Sequence, residues 1–167
     1  MRVLKFGGSS LANHERLFDV AKLLASQAAD SQLLVILSAP QGVTNALVEL
    51  SEVAYLGYDY TEAVSKLEKK LTGLVAEFSC LSEGQISSLN QLIHSQMQQI
   101  SSQLEGIKLL NYCPDHVKAQ IISTGEKVSV NLMADLLSCL EVKSHVLDAT
   151  KCIQSSDSYL HLSLIHI

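Results

Sequence analysis

A strand–helix–strand unit in the first 38 residues limits what this chain can fold into more than any other feature. Val3, Leu4 and Phe6 have the apolar character of a short buried strand, interrupted by Lys5. Gly7, Gly8, Ser9 and Ser10 follow, and then apolar residues recur at helical spacing at Leu17, Val20, Ala21 and Leu24. Asn13 is a credible N-cap, and this helix is expected to run to about Ala28. The run Leu33-Leu34-Val35-Ile36-Leu37 is apolar at every position. Such a run suits a central parallel strand covered on both faces by helices. Two parallel strands joined by a helix cross over right-handedly and belong to the α/β class.

The turn after the first strand also carries chemistry. Glycines lacking a Cβ let backbone N–H groups approach a ligand closely, and a helix N-terminus carries partial positive charge. With Lys5 at the strand's end, Gly7 and Gly8 form a candidate anion site for phosphate or carboxylate. The same residues suit a plain tight turn with a solvated lysine, and the local pattern does not choose between the two. The second strand runs into Ser38-Ala39-Pro40-Gln41-Gly42-Val43-Thr44-Asn45. Pro40 and Gly42 break the chain there, and Thr44 or Asn45 can cap the helix that follows. In open parallel sheets ligands collect at the carboxyl ends of the strands. The turns after Phe6 and Leu37 are therefore expected to face one crevice, with hydroxyls at both.

From about residue 43 to 105 the pattern is helical and concerned with packing. Leu47, Leu50 and Ala54 mark one helix ending near Gly57, and Val64, Leu67, Leu71, Leu74, Val75 and Phe78 mark a second. Ser82-Glu83-Gly84-Gln85 has the S-x-x-Q form of a capping box, with Ile86, Leu89, Ile93, Met97, Ile100 and Leu104 behind it. These helices read as an inserted hairpin or bundle beside the sheet. Gly106 to Asp115 is expected to be a connection in which Pro114 and Asp115 open another helix. In Ser123-Thr124-Gly125-Glu126-Lys127 a glycine interrupts a helical stripe, at a cost of about 1 kcal/mol relative to alanine. That placement predicts a break that re-aims the N-terminus of the next helix. By itself, Glu126 reads as a first-turn glutamate favoured by the helix dipole. His145-Val146-Leu147-Asp148 is expected to be a third strand.

Composition removes several functions. Over 167 residues, 47% hydrophobic and 17% charged residues describe a globular chain able to bury a core. A net charge of −5 with no basic run argues against a nucleic-acid or anionic membrane surface. No stretch approaches the roughly 20 apolar residues of a membrane span, and the opening run is too short for a signal peptide. The expected compartment is the cytoplasm. Cys80, Cys113, Cys139 and Cys152 form no C-x-x-C pair and read as reduced thiols rather than a disulfide framework or zinc site. His14, His94 and His116 fall in polar helical contexts and read as solvated surface, and no metal-ligand set is expected.

Three separated segments carry a family resemblance. Lys5-Phe6-Gly7-Gly8-Ser9-Ser10 resembles the K-F-G-G-T-S opening of the aspartokinases, which belong to the amino-acid kinase fold. Ser38-Ala39 with Gly42-Val43-Thr44-Asn45 resembles their second motif, and Ser123-Thr124-Gly125-Glu126 their third. Gly106-Ile107-Lys108-Leu109-Leu110 with Cys113-Pro114-Asp115 is narrower. It is similar to the N-terminal kinase part of the bifunctional aspartokinase I–homoserine dehydrogenase I enzymes of threonine biosynthesis. The resemblance is continuous from Met1 to about Leu160. Within the motifs, Ser9 stands where threonine is usual and keeps the hydroxyl.

This resemblance implies an α/β fold: the N-terminal part of a three-layer parallel-sheet sandwich with a helical insertion. Residues 1–160 would be a partial catalytic domain, its substrate-binding half. The implied reaction moves the γ-phosphoryl group of MgATP to the β-carboxylate of L-aspartate, giving 4-phospho-L-aspartate, the first step toward threonine, lysine and methionine. An aspartate side chain with a pKa of about 3.9 is already ionised at neutral pH, so no general base is needed. The task is to bring two anions together by positioning and charge stabilisation. On this reading Lys5 is catalytic and neutralises the transferring group, while Gly7, Gly8 and Ser9 complete the phosphate and ATP site. Ser9, Ser38, Thr44 and Glu126 bind substrate, with Glu126 holding the α-ammonium group.

The implied cofactors are ATP and Mg²⁺, with NADP only if a dehydrogenase domain is encoded downstream. The implied partners are L-aspartate and MgATP, with no nucleic acid and no membrane, and the full-length enzyme is expected to be a homo-oligomer. No G-x-x-x-x-G-K-[ST] occurs, so this is not a P-loop kinase. In the family the catalytic domain continues well past this length into a nucleotide-binding half. The chain is therefore expected to be truncated and inactive alone, with a tail at 161–167 that is not native to the family. Two alternatives stand beside this reading: a non-catalytic fragment that binds aspartate weakly or supplies an assembly surface, and another amino-acid kinase acting on a different carboxylate or carbamate.

Overall fold

The computed structural model describes residues 1–149. Strand β1 (Arg2–Phe6) lies parallel to β2 (Leu33–Leu37), in register from Arg2↔Leu33 to Phe6↔Leu37. The ladder continues past both ends. The Arg2 N–H donates to the Gln32 carbonyl at 2.9 Å, and the Ser38 N–H to the Phe6 carbonyl at 3.0 Å. Helix α1 (His14–Ala28) makes the crossover, within the bounds its periodicity predicts. The Asn13 side chain caps it, accepting from the Arg16 N–H at 3.0 Å. Leu17, Val20, Ala21 and Leu24 are its buried stripe.

Helices α2 (Val43–Tyr55), α3 (Thr61–Ala76) and α4 (Glu83–Leu110) form the expected helical insertion. Helix α3 packs along α4, and α2 packs against α3, α4 and the short α5 (Asp115–Ile122). Leu67, Leu71 and Val75 of α3 are buried, as are Leu89, Ile93, Met97 and Ile100 of α4. Ser82 and Gln85 close their capping box in both directions. Helix α6 (Thr124–Cys139) follows α5 after a break at Ser123, as the misplaced glycine predicts. It packs on α1 and β2, joining the insertion to the sheet in one core that runs from Leu11 to Leu137.

Four expectations need correction. Helix α4 runs through Gly106–Leu110, which was expected to be a connection, and ends at Asn111 in the left-handed conformation (φ 46°). Leu104 and Ile107 are both buried in the core, and burying two such side chains outweighs about 1 kcal/mol for the intervening glycine. Helix α2 begins at Val43, so Thr44 and Asn45 lie in its first turn rather than cap it. Gly42, at φ 79°, turns the chain in one residue, and the Val43 N–H bonds the Pro40 carbonyl at 3.0 Å.

The third strand expected at His145–Asp148 does not form. Val146 and Leu147 are exposed there, and the sheet among the described residues has two strands. A strand is stabilised only when a neighbour takes up its backbone groups. Nor is β2 covered on both faces. Leu4, Phe6, Val35 and Leu37 turn toward the helices, whereas Val3 (58% exposed) and Ile36 (47%) lie on an open face. Of the three layers expected, the described residues supply the sheet and the helices on one side. Cys80, Cys113 and Cys139 carry free thiols, while Cys152 and the tail at 161–167 lie outside the described residues.

Candidate active site

The carboxyl ends of β1 and β2 open into two turns held in close contact. Gly7 continues the strand in extended conformation, and a single 3₁₀ turn, Gly8–Leu11, follows it. The Ser10 N–H donates to the Gly7 carbonyl at 3.0 Å, and Arg16 Nη1 pins the turn from α1 by donating to the Ser9 carbonyl at 2.6 Å. A Cβ on Gly8 would sit 3.0 Å from the Ala39 carbonyl oxygen and 3.8 Å from Gln41 Cα. The glycine is therefore there for close approach: any side chain would push the two turns apart. The second turn is held from α3, whose Lys70 Nζ donates to the Gln41 carbonyl at 2.9 Å.

The first turn of α6 presses on the same place. A Cβ on Gly125 would lie 2.4 Å from Ala39 Cβ and 3.0 Å from Val43 Cγ1. Ala39 and Val43 are both buried, so all three segments singled out in the sequence meet around Ala39. The glycine that costs helix stability is explained by this contact.

Through these contacts Gly8, Ala39, Val43 and Gly125 meet at one junction; Ser38, Thr44 and Glu126 are each next to one of them in the chain, and Gly7 and Ser9 flank Gly8. Ser38 and Thr44 are half-buried neighbours of Ala39 and Val43, and Ser9 is exposed on the 3₁₀ turn. Lys5 is the penultimate residue of β1, paired with Ile36 and exposed, two residues before Gly7. Glu126 stands in the first turn of α6, half-buried, with Oε2 shielded from solvent and without a hydrogen-bond partner among the described residues. Ser129, one turn further on, is fully buried and its Oγ is likewise unpartnered among the described residues. The Thr124 hydroxyl is used within the chain, donating to the Gln120 carbonyl at 3.5 Å. A buried carboxylate oxygen without a donor is costly, and a cationic donor brought by a ligand would offset that cost.

Sequence reasoning missed Arg16, Lys70 and Ser129. Lys70 comes from a helix 29 positions away and had no local signal. His14 and His94 lie at the surface, as their polar helical contexts suggest, and each has a partner there: His14 pairs with Glu77 and meets Phe78 edge-on at 6.2 Å between ring centroids, and His94 bonds Glu68 at 2.8 Å.

The model of the amino acid kinase family matches residues 1–165 of the chain. The chain belongs to the amino acid kinase family. Among curated relatives, this family member is 35% identical over 168 residues to the bifunctional aspartokinase/homoserine dehydrogenase of Haemophilus influenzae, covering 98% of this chain and 20% of that protein. It is 32% identical over 162 residues to the Buchnera aphidicola protein of the same description, covering 96% of this chain and 20% of the relative. The chain thus spans 20% of the length of these curated relatives.

Two solved structures share the fold. Escherichia coli aspartokinase III in complex with aspartate and ADP superposes with a TM-score of 0.69 at 23% identity, over 84% of this chain and 29% of that one. The same enzyme in complex with lysine and aspartate gives a TM-score of 0.70 at 23% identity, over 86% and 30%. At that identity the likeness speaks to fold alone: this amino acid kinase family chain has the α/β architecture of the N-terminal part. No helix among the described residues is long and apolar enough to cross a membrane.

Proposed function

We propose that the chain is the N-terminal, substrate-binding part of an aspartate kinase. The complete enzyme would transfer the γ-phosphoryl group of ATP to the β-carboxylate of L-aspartate. The observation that supports this best is the junction at Ala39: Gly125 packs on it, and the next residue, Glu126, carries a carboxylate oxygen that is buried and unpartnered among the described residues. An amino-acid substrate has one cationic group, and Glu126 would bind that α-ammonium. Ser38 and Thr44 would hydrogen-bond the substrate's carboxylates, together with Ser9 at the rim.

Lys5 and the backbone N–H groups of Gly7 and Gly8 would face phosphate oxygens and offset the repulsion between the two anions. Bound MgATP supplies the phosphoryl group. Among the described residues no group of three or more His, Cys, Asp or Glu could hold a metal ion. The open face of the sheet also favours the reading that residues 1–160 do not turn over alone.

The test uses a full-length protein carrying this segment, with the acyl phosphate trapped by hydroxylamine. Glu126→Gln is expected to raise KM for L-aspartate about 10- to 100-fold with little change in KM for ATP, the loss of one hydrogen bond between charged groups. An unchanged aspartate KM removes Glu126 from the site. Acyl phosphate formed only with another carboxylate or a carbamate moves the chain to a different reaction within the family.

A further inference from the structure

The chemistry left over lies at the far end of α6. Cys139 is the last residue of that helix, and its thiol donates to the backbone carbonyl of Cys80 at 3.1 Å, across 59 positions of sequence. A carbonyl oxygen lies about 2.4 Å from its own Cα, so the Cys139 sulfur stands within about 5.5 Å of Cys80 Cα. Cys80 sits in the turn between α3 and α4, is exposed, and borders an open cleft of about 420 Å³ with His14, Lys22, Glu77 and Phe78. Cys139 is half-buried beneath it.

We propose that Cys80 and Cys139 form a dithiol switch that closes to an intrachain disulfide on exposure to a low-molecular-weight disulfide such as oxidised glutathione. Cys80 acts first because it is open to solvent. Its thiolate attacks one sulfur of the oxidant, the S–S bond breaks, and one glutathione thiolate leaves. The Cys139 thiol then gives its proton to solvent and its thiolate attacks the Cys80 sulfur, displacing the second glutathione. Two protein thiols become one disulfide and one glutathione disulfide becomes two thiols, so no further oxidant is required. Burial and the neighbouring Cys80 push the Cys139 thiol up to about 11, which suits a partner that reacts only once a mixed disulfide stands beside it. The cross-link would fasten the end of α6 opposite Glu126 to the tip of the insertion.

The test is to incubate the full chain with oxidised glutathione, block remaining thiols by alkylation, and map peptides under non-reducing conditions. The expected product is a monomer lighter by roughly 2 Da, in which the Cys80 and Cys139 peptides are joined and reduction restores both thiols. In Cys139→Ser, Cys80 should instead accumulate as the glutathione mixed disulfide. A wild-type chain whose Cys80 stays glutathionylated while Cys139 is alkylated overturns the proposal. So does a disulfide formed with Cys113 or Cys152, or one formed between two chains.

Discussion

Replacing Gly125 with alanine sets two effects of opposite sign against each other. In a helix this change normally gains up to about 1 kcal/mol, because glycine has more backbone freedom to lose. Here the added Cβ would lie 2.4 Å from Ala39 Cβ and 3.0 Å from Val43 Cγ1. Carbon atoms in favourable contact stand about 3.5–4.0 Å apart, so relief demands a shift of more than about 1 Å. Ala39 is 2% exposed and Val43 fully buried, and the atom in the way is a Cβ fixed to the backbone rather than a mobile side-chain end. Overpacking of this kind costs about 1–3 kcal/mol.

Because the clash is with a Cβ that cannot swing away, the cost falls in the upper part of that range, about 2–3 kcal/mol. The steric term wins, leaving Gly125→Ala about 1–2 kcal/mol less stable and lowering Tm by about 2–8 °C. Gly73→Ala in α3 and Gly106→Ala in α4 are the controls, since a Cβ at either meets nothing within 4 Å. Each should gain about 0.5–1 kcal/mol. Urea unfolding followed by far-ultraviolet circular dichroism reads all three. If Gly125→Ala proves as stable as the parent while Gly73→Ala gains stability, the packing of α6 against the second turn is not as described.

In a full-length enzyme, Lys5→Ala should lower turnover by about 10²- to 10³-fold, the scale of losing one preorganised charge-stabilising group. The melting curve should not move, since Lys5 is exposed; undiminished kcat would remove Lys5 from the reaction. Tyr60 gives a pH-dependent prediction. Its hydroxyl donates to Glu105 Oε2 at 2.8 Å, and burial with that bond and that charge raises it to about 12. An unfolded tyrosine ionises near about 10, so the neutral phenol's contribution is complete below about pH 10 and lost as pH rises toward about 12. Tyr60→Phe should cost about 1 kcal/mol at neutral pH and flatten that alkaline decline, whereas an unchanged slope in denaturant melts would locate the decline elsewhere.

What the residues determine by themselves is whatever depends on neighbours within about one helical turn. Asn13 reaches three positions to cap α1, Ser82 and Gln85 bond each other across three, and the stripes of α1, α3 and α4 follow the helical repeat. Those features were legible, as were the parallel pair of strands, the break before α6 and the motifs that carry the family. Tertiary contact decided the rest. Gly106 looked like a helix end until the burial of Leu104 and Ile107 outweighed it. Leu34 and Ile36 read as buried on composition, yet no described residue covers their face, because apolar character alone cannot say what lies opposite. Gly125 could be recognised as misplaced, but only the approach of Ala39, some 86 positions earlier in the chain, gives the reason. The same holds for Lys70 on Gln41 and Cys139 on Cys80: pairings across tens of residues depend on how helices pack, which local periodicity does not encode.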